Sequence, residues 1–125
     1  MSVKRFFVCK HCGNLVAVVN DSKVPMVCCG EQMTELVANT TDAAQEKHVP
    51  VVTKKCKTVK VDVGSVAHPM TEEHLIEWVA LETEQGYQIK YLSAGAMPVV
   101  TFTLADGDKA VGVYSYCNLH GLWHA

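Results

Sequence analysis

The stretch KTVKVDVG, residues 57–64, decides the fold class of the larger part of the chain. Val59, Val61 and Val63 fall on one face of an extended strand, and Lys60 and Asp62 fall on the other. Strict alternation of apolar and polar residues is the pattern of a β-strand with one buried face. The stretch therefore predicts a strand that packs its valines into a core.

The same alternation returns several times further along the chain. It is found in GYQIKYL, VVTFTL and VGVYSY, and these runs are separated by Gly, Asp, Asn and Pro. No convincing helix of ten residues or more is found, although MTEEHLIEW, residues 70–78, has room for one helical turn. Short strands at this spacing predict an all-β fold, either a sandwich or a barrel.

Composition and charge exclude some classes of function. The formal net charge of -2 gives no electrostatic basis for binding nucleic acid or an anionic membrane surface. No stretch approaches the roughly 20 apolar residues that span a bilayer. The start, MSVKRFFVCK, carries no secretory signal pattern. We therefore expect a cytoplasmic protein, in which cysteine clusters indicate metal or redox sites before disulfides.

Four of the six cysteines lie close to the start of the chain. Cys9 and Cys12 form a C-x2-C pair, and Cys28 and Cys29 follow as direct neighbours, a spacing that forms only a strained disulfide. A second cysteine pair at this separation indicates a four-thiolate metal site. Zinc and iron both accept four thiolates, so the spacing does not choose the metal. The alternative is a set of buried free cysteines or a vicinal disulfide.

The uneven distribution of cysteine and histidine predicts two domains. Residues 1–37 are too few to fold on an apolar core alone and need a metal or disulfides. Within them, LVAVVN and KVPMV are expected to form a hairpin that brings the two cysteine pairs together. Residues 38–47, ANTTDAAQEK, are small, polar and without apolar periodicity, which predicts a linker. Residues 48–125 then form the β-rich second domain.

A second group of potential ligands lies in that domain. Cys117 and His120 are three residues apart, directly after a predicted strand, so both can reach one metal through a tight loop. His48 precedes a strand start marked by Pro, and His68 and His74 flank a short connection. Strand ends and loops are where a β scaffold holds functional groups. The alternatives are hydrogen-bonded or solvated histidines, and a nucleophilic Cys–His pair.

The segments EKHVP, VGSVAHPMTEEHLIEW and YCNLHGLW, together with CKHC and the later CC, resemble the desulfoferrodoxin family of two-iron superoxide reductases. The resemblance covers nearly the whole chain. It implies a desulforedoxin-like first domain and an immunoglobulin-like β-sandwich as the second domain. It also implies two iron ions. The ligands of the first are Cys9, Cys12, Cys28 and Cys29; those of the second are four equatorial imidazoles from His48, His68, His74 and His120, with Cys117 as the axial thiolate.

The same resemblance implies an activity and partners. Five protein ligands leave the second iron one open position, where superoxide is reduced to hydrogen peroxide without producing dioxygen. Lys47 is expected to attract the anionic substrate, and Glu46 resembles the carboxylate that occupies the open position of the oxidised iron. A homodimer and a rubredoxin-like electron donor are also implied. Two rival hypotheses are a rubredoxin-like electron carrier and a zinc-stabilised binding module.

Three residues with metal-binding side chains fall outside the family pattern. His11 and His124 match no ligand and are expected to be solvated. Cys56 is interpreted as a spare thiol. The aromatic residues Trp78, Tyr114, Tyr116 and Trp123 are expected to pack in the core or at its rim.

Overall fold

The computed structural model describes residues 5–125 and divides the chain into two compact units, with the boundary between Val37 and Ala38. Regular structure is almost entirely strand, with one short helix, so the all-β prediction is confirmed. In the part of the chain that the structure describes, no helix is long and apolar enough to cross a membrane.

The first unit is built from five very short strands. They are β1 (Phe6–Val8), β2 (Leu15–Ala17), β3 (Val27–Cys28), β4 (Glu31–Gln32) and β5 (Thr34–Leu36). Strands β2, β1 and β5 form one antiparallel sheet, and β3 pairs with β4 in a separate ribbon. Among the described residues of this unit, the buried apolar ones are Phe6, Cys9 and Met33. So few buried side chains make a weak core, as the length of the unit predicts.

The prediction that residues 15–20 and residues 23–27 pair in one hairpin is wrong. Strand β2 pairs with β1, and β3 pairs with β4, so the two runs belong to different hairpins. Each hairpin instead carries one cysteine pair, Cys9 and Cys12 in the turn after β1, and Cys28 and Cys29 at the end of β3 and in the turn that follows. Runs of two or three residues bury too little surface for the sequence pattern to set their pairing.

The second unit contains the helix and seven longer strands. They are α1 (Gln45–His48), β6 (Pro50–Lys55), β7 (Thr58–Val63), β8 (Ile76–Thr83), β9 (Gly86–Tyr91), β10 (Val99–Thr103), β11 (Ala110–Cys117) and β12 (Gly121–His124). Two antiparallel sheets result, with the strand orders β10-β7-β6 and β12-β11-β8-β9. They form the two layers of a β-sandwich.

The core of the second unit lies between these two sheets. Val59, Val61 and Val63 of β7 are buried, whereas Lys60 between them is exposed, as the alternation predicts. Facing them, β8 and β11 contribute side chains that include Leu81. Burial of a leucine or valine side chain stabilises a fold by about 1.5–3 kcal/mol, so this cluster dominates the stability of the sandwich.

Residues 38–47, expected to be a linker, lie in the second unit and are fastened to β12. The backbone N–H of Asn39 donates to the carbonyl of Leu122 at 3.1 Å. The side-chain amide of Asn39 exchanges two hydrogen bonds with the backbone of His124, at 3.2 and 2.9 Å. These bonds cover the free edge of β12 and fix the segment that leads into α1.

The helical turn expected in residues 70–78 does not form. The chain bends at residues 71–74, where Thr71 and His74 exchange backbone hydrogen bonds at 3.0 and 3.3 Å. The Thr71 hydroxyl also accepts from the N–H of His74 at 3.1 Å, so a side chain replaces the helical backbone partner. Strand β8 then begins at Ile76.

Candidate metal centres

The four cysteines of the first unit converge on one point. The sulfurs of Cys9, Cys12, Cys28 and Cys29 all lie within 4.8 Å of one another. The Sγ atoms of Cys12 and Cys28 are 3.6 Å apart, and those of Cys28 and Cys29 are 4.0 Å apart. All six cysteines of the chain are free thiols, so neither pair is a disulfide. Four thiols at these distances have the donor set of a four-sulfur metal site.

Backbone conformation explains how two neighbouring cysteines face one centre. Successive side chains of a strand point to opposite faces, so a regular strand would separate Cys28 from Cys29. Cys29 instead has φ = 54°, in the left-handed region, and Gly30 follows with φ = 76°. This turn brings the second side chain back to the side of the first. In the other hairpin, Gly13 has φ = 83° and donates its N–H to the carbonyl of Cys9 at 2.9 Å.

Electrostatics at these thiols favour a bound cation. Hydrogen bonds from the backbone, that of Cys12 first, lower the pKa of Cys9 to about 6. The thiol hydrogen bond to Cys12 raises the pKa of Cys29 to about 12. The Cys9 thiolate forms easily, whereas the ionisation of Cys28 and Cys29 is suppressed inside the cluster. A metal cation removes that conflict and holds all four sulfurs as thiolates.

The five candidate ligands of the second unit lie at one end of the sandwich. His48 ends α1, His68 lies in the connection between β7 and β8, and His74 lies just before β8. Cys117 ends β11, and His120 lies in the turn to β12. The register places these ends together, since Pro50 pairs with Val63 in one sheet and Ile76 pairs with Cys117 in the other.

The four imidazole rings occupy the corners of a rough square. Neighbouring ring centroids are 4.6 Å apart for His48 and His68, 4.6 Å for His68 and His74, 5.1 Å for His74 and His120, and 5.0 Å for His120 and His48. His48 and His74 lie across the diagonal, with centroids 6.4 Å apart. Each ring therefore has two neighbours, and all four surround a common centre.

Ring nitrogens and one sulfur line this centre. The Nε2 of His48 lies 3.1 Å from the Nε2 of His68 and 3.2 Å from the Nδ1 of His120. The Sγ of Cys117 is 3.9 Å from the same Nδ1. The ligand atoms of His48, His74, Cys117 and His120 lie within 4.8 Å of one another. Two ligands at about 2.1 Å from a metal and at right angles to each other are separated by about 3 Å, close to the spacing of these nitrogens.

Hydrogen bonds on the outer side of the rings set which nitrogen faces inward. The Nδ1 of His48 bonds to the carbonyl of Ala44 at 2.7 Å, and the Nδ1 of His68 bonds to that of Pro69 at 2.7 Å. A carbonyl accepts, so both rings carry their proton on Nδ1 and turn an unprotonated Nε2 to the centre. This second hydrogen bond is the usual way in which a protein orients a metal-binding histidine.

His74 supplies the test of whether a metal fits. Among the described residues, its Nε2 is the buried side-chain nitrogen or oxygen that has no hydrogen-bond partner. A buried polar atom without a partner costs about 1–3 kcal/mol, so it points to something that would satisfy it. A cation at the centre would do so, because the ligand atoms of His48, His74, Cys117 and His120 all lie within 4.8 Å of one another.

Burial favours the neutral form of three of the histidine ligands and of the cysteine ligand. It lowers the pKa of His48 and of His74, and it lowers the pKa of His68 to about 4. These three imidazoles are therefore neutral at pH 7, the form that binds a metal. Burial also raises the pKa of Cys117, although the backbone amides of Leu119 and His120 oppose that shift. A thiolate in this position needs a nearby cation.

The donor set suits iron. A structural zinc site closes with four ligands in a tetrahedron, whereas four imidazoles and one sulfur surround this centre. Imidazole and thiolate together are ligands of redox-active iron, and the potential is tuned by the axial ligand and by hydrogen bonds to its sulfur. The four-cysteine cluster and the four-His, one-Cys site match the two-iron arrangement that the family resemblance implies.

Glu46 and Lys47 lie on α1 immediately before His48 and have exposed side chains. Their backbone is fixed, since the carbonyl of Glu46 accepts from the N–H of Val66 at 2.8 Å and from the hydroxyl of Ser65 at 3.2 Å. A fixed backbone with free side chains lets both charges move near the centre without moving His48.

Several residues around the site were missed by the sequence. Asn118 accepts from the N–H of Leu75 at 3.0 Å and donates to the carbonyl of Glu73 at 2.9 Å. It thereby ties the loop of Cys117 to the loop of His74. Ser115 and Trp123 contact His48 from the core side. The sequence signal for Ser115 and Trp123 was that they lie close to Cys117 and His120. Their contacts with His48 could not be predicted, because more than sixty residues of chain separate them from it.

His11, His124 and Cys56, which fall outside the family pattern, belong to neither cluster of potential ligands. His11 is exposed and pairs with Glu31 at 3.0 Å. His124 is half-buried rather than solvated, because its ring packs on Tyr114 at 4.6 Å between centroids. Cys56 is exposed in the turn between β6 and β7.

Comparison with known proteins gives the family. The sequence profile of "Desulfoferrodoxin" matches residues 40–125, and that of "Desulfoferrodoxin, N-terminal domain" matches residues 2–36. A desulfoferrodoxin of Nitratidesulfovibrio vulgaris is 46% identical over 119 residues, 95% of this chain and 93% of the relative. A desulfoferrodoxin homolog of Archaeoglobus fulgidus is 42% identical over 123 residues, 98% of this chain and 97% of the relative.

Solved structures match this chain over nearly its whole length or over about two thirds of it. The crystal structure of the superoxide reductase from Treponema pallidum superposes with a TM-score of 0.84 at 41% identity and covers 99% of both chains. A one-iron superoxide reductase from Giardia intestinalis superposes with a TM-score of 0.55 at 34% identity over 64% of this chain and 95% of its own. On the strength of both profiles and of relatives that match nearly end to end, the chain belongs to the desulfoferrodoxin family.

Proposed function

We propose that this protein is a superoxide reductase, an oxidoreductase that reduces superoxide to hydrogen peroxide at a non-haem iron. The observation that carries the proposal is the convergence of four imidazoles and one buried thiol at one end of the sandwich. The match to solved structures that bear the name superoxide reductase supports it.

The proposed ligands are those that the family resemblance implies. His48, His68, His74 and His120 would hold the iron through their ring nitrogens, and Cys117 would supply the thiolate. Cys9, Cys12, Cys28 and Cys29 would hold a second iron through four thiolates. The orientation of the His48 and His68 rings by carbonyl groups supports the first set, as does the unpartnered Nε2 of His74.

When bound, the iron of the His and Cys site supplies the single electron that superoxide gains. One superoxide anion takes up that electron and two protons and leaves as hydrogen peroxide, so no dioxygen is formed. The thiolate of Cys117 would be an electron-rich ligand that favours loss of an electron from a bound iron. The backbone amides of Leu119 and His120 hydrogen-bond its sulfur and would tune the potential.

Charged side chains on α1 would handle the substrate. Lys47 is exposed beside His48, and its ammonium would raise the local concentration of an anion and donate a hydrogen bond to it. Glu46 carries a carboxylate on the same helix, and carboxylate oxygen prefers ferric over ferrous iron. Glu46 would therefore be a candidate ligand for the ferric form of the centre.

The test combines metal analysis with a reaction. The purified protein should contain two iron ions per chain, one for each group of ligands. Its oxidised form should show the blue and near-ultraviolet absorption of four-sulfur iron and a broad red band from thiolate-bound iron. Pulse radiolysis should show that the reduced protein consumes superoxide and releases peroxide without dioxygen.

Two cysteine variants make the result specific. Cys117→Ser should lose the red band and the reaction with superoxide, whereas Cys56→Ser should keep both because Cys56 lies in a distant hairpin turn. Zinc in place of iron at the His and Cys site, or a fully iron-loaded protein that does not react, would refute the proposal.

We also propose a cytoplasmic homodimer that receives electrons from a rubredoxin-like donor. These proposals rest on the family resemblance. Sedimentation of the iron-loaded protein would give the oligomeric state, and the rate at which a reduced rubredoxin reduces the red-absorbing centre would test the donor.

A further inference from the structure

Trp123 is a fully buried side chain that directly touches one of the proposed ligands. Its ring stacks on the imidazole of His48 with centroids 4.8 Å apart and an interplanar angle of 27°. The neighbouring imidazoles of His68 and His120 meet it edge-on, at 76° and 84°, and the ring of His74 lies farther away, with centroids 6.4 Å apart and an angle of 32°. Trp123 is thus the partner that lies along the face of this imidazole.

Ser115 holds the same histidine by its backbone. Its hydroxyl donates to the carbonyl of His48 at 3.0 Å, and the side chain is fully buried. Ser115 and Trp123 are cross-strand partners in the register of β11 and β12. One pair of opposite residues therefore contacts both the ring and the backbone of His48.

The indole nitrogen reaches a second ligand loop. The Nε1–H of Trp123 donates to the carbonyl of His120 at 3.2 Å. His120 comes three residues earlier in the chain and lies in the turn that β12 leaves. Trp123 accordingly joins the loop of His120 to the ring of His48.

His48 needs support from outside its own helix. Helix α1 has four residues and no side-chain hydrogen bond at its N-cap. A single turn of helix is not stable on its own, so it does not define the direction of a side chain at its end. The bond from the Nδ1 of His48 goes to Ala44, the N-cap residue of that same helix, and moves with it. The contacts with β11 and β12 come instead from the rigid sheet.

We infer that Trp123 is a positioning residue for the His and Cys centre, with Ser115 as its partner. The stacked indole sets the plane of the His48 imidazole, and the Ser115 hydroxyl sets the position of its backbone. Together they aim the Nε2 of His48 at the centre. The inference rests on the proposed function, because it assumes that iron is bound there.

The experiment distinguishes the effect of an aromatic ring stacked on His48 from the effect of filling the same space. Trp123→Phe keeps an aromatic face against His48, whereas Trp123→Met fills similar space with a flexible chain that has no face. Both lose the indole N–H, so that loss cancels in the comparison. Trp78→Met is the matched control, since Trp78 is also a buried tryptophan but stacks on Tyr116, at 5.5 Å and 9°, instead of on a histidine.

Two readouts are followed in iron-loaded protein. Competition with a chelator gives the iron affinity of each centre from its own absorption, and electron paramagnetic resonance gives the symmetry of the oxidised His and Cys iron. Loss of an outer contact to a metal ligand typically costs 10–100-fold in affinity, so we expect Trp123→Met to lose about that much at this centre. Trp123→Phe and Trp78→Met should stay close to the parent chain in both readouts.

The four-cysteine centre serves as an internal control in every variant, because its affinity and absorption should not change. Ser115→Ala should shift the resonance spectrum in the same direction as Trp123→Met. The inference would be overturned if Trp123→Phe and Trp123→Met had the same iron affinity and resonance spectrum. It would also be overturned if Trp123→Met kept the iron affinity and spectrum of the parent chain. Absence of iron from this centre in the parent chain would instead refute the proposed function.

Discussion

The Nε2 atoms of His48 and His68 face each other at 3.1 Å in the buried end of the sandwich. Both rings hold their proton on the opposite nitrogen, where a backbone carbonyl accepts it. Two lone pairs therefore point at nearly the same place. A bound cation satisfies both at once, whereas a second proton on either ring would place a charge in a buried site beside other imidazoles.

This relationship predicts how stability depends on pH. Burial lowers the pKa of His68 to about 4, below the value of about 6.5 that a histidine has in the unfolded chain. Between these values the unfolded chain binds more protons than the folded chain, so stability is complete above about pH 6.5 and decreases as the pH falls toward 4. The lowered pKa values of His48 and His74 act in the same direction.

Urea unfolding of the chelator-stripped protein at pH 7 and pH 5 would measure the effect. We expect a clear loss of unfolding free energy at pH 5, and a smaller loss in His68→Gln, which lacks the titrating ring. Iron-loaded protein should keep its stability to a lower pH, because the metal competes with the protons. A stripped parent chain that is equally stable at both pH values would contradict the prediction.

Alternating valines predicted the sandwich strands, because each buried face there is long enough to fix its strand. Cysteine spacing likewise predicted the first cluster. The ligands of the second cluster followed from the family resemblance, since a single histidine in a loop carries little information by itself. Strand β7 is the clearest example of the valine pattern, since Val59, Val61 and Val63 are all buried.

What the sequence could not predict depends on long-range contacts. The strands of the first unit are only two or three residues long, so their pairing follows the metal-binding turns rather than an apolar pattern. Residues 38–47 look like a linker because their partners, Leu122 and His124, lie about eighty residues away. The stacking of Trp123 on His48 is equally remote in sequence.

Replacing Lys47 tests the steering of the substrate. Lys47→Ile should slow the reaction of the reduced protein with superoxide by about tenfold at low salt, since a positive charge at a site entrance raises the encounter rate of an anion. The rate should also depend less on ionic strength than in the parent chain. Lys55→Ile is the matched control, because Lys55 lies at the far end of β6 from the site. An unchanged rate in Lys47→Ile would exclude the role.

Asn118 should be needed to hold two ligand loops together. Asn118→Ala removes its bonds to Leu75 and Glu73 and leaves the backbone N–H of Leu75, in the loop of His74, without its acceptor. We expect a loss of about 1–3 kcal/mol in unfolding free energy and weaker iron binding at the His and Cys centre. Asn118→Asp keeps an acceptor for Leu75 and should cost less. Equal stability of the Ala variant and the parent chain in urea unfolding would argue against this function.

The last prediction concerns the close packing of Gly64 against the segment that carries His48. A Cβ atom at this position would lie 2.6 Å from the carbonyl oxygen of Glu46 and 2.9 Å from that of Val49, both backbone atoms that side-chain rotation cannot move away. Gly64→Ala should therefore displace α1 and cost about 1–3 kcal/mol of stability. Because His48 moves with α1, the red band of the iron-loaded protein should shift as well.

Ser65→Ala is the neighbouring control, since it removes only one of two hydrogen bonds to the carbonyl of Glu46 and leaves the bond from Val66 in place. A Gly64→Ala protein with the parent stability and spectrum would show that the packing is looser than these distances require.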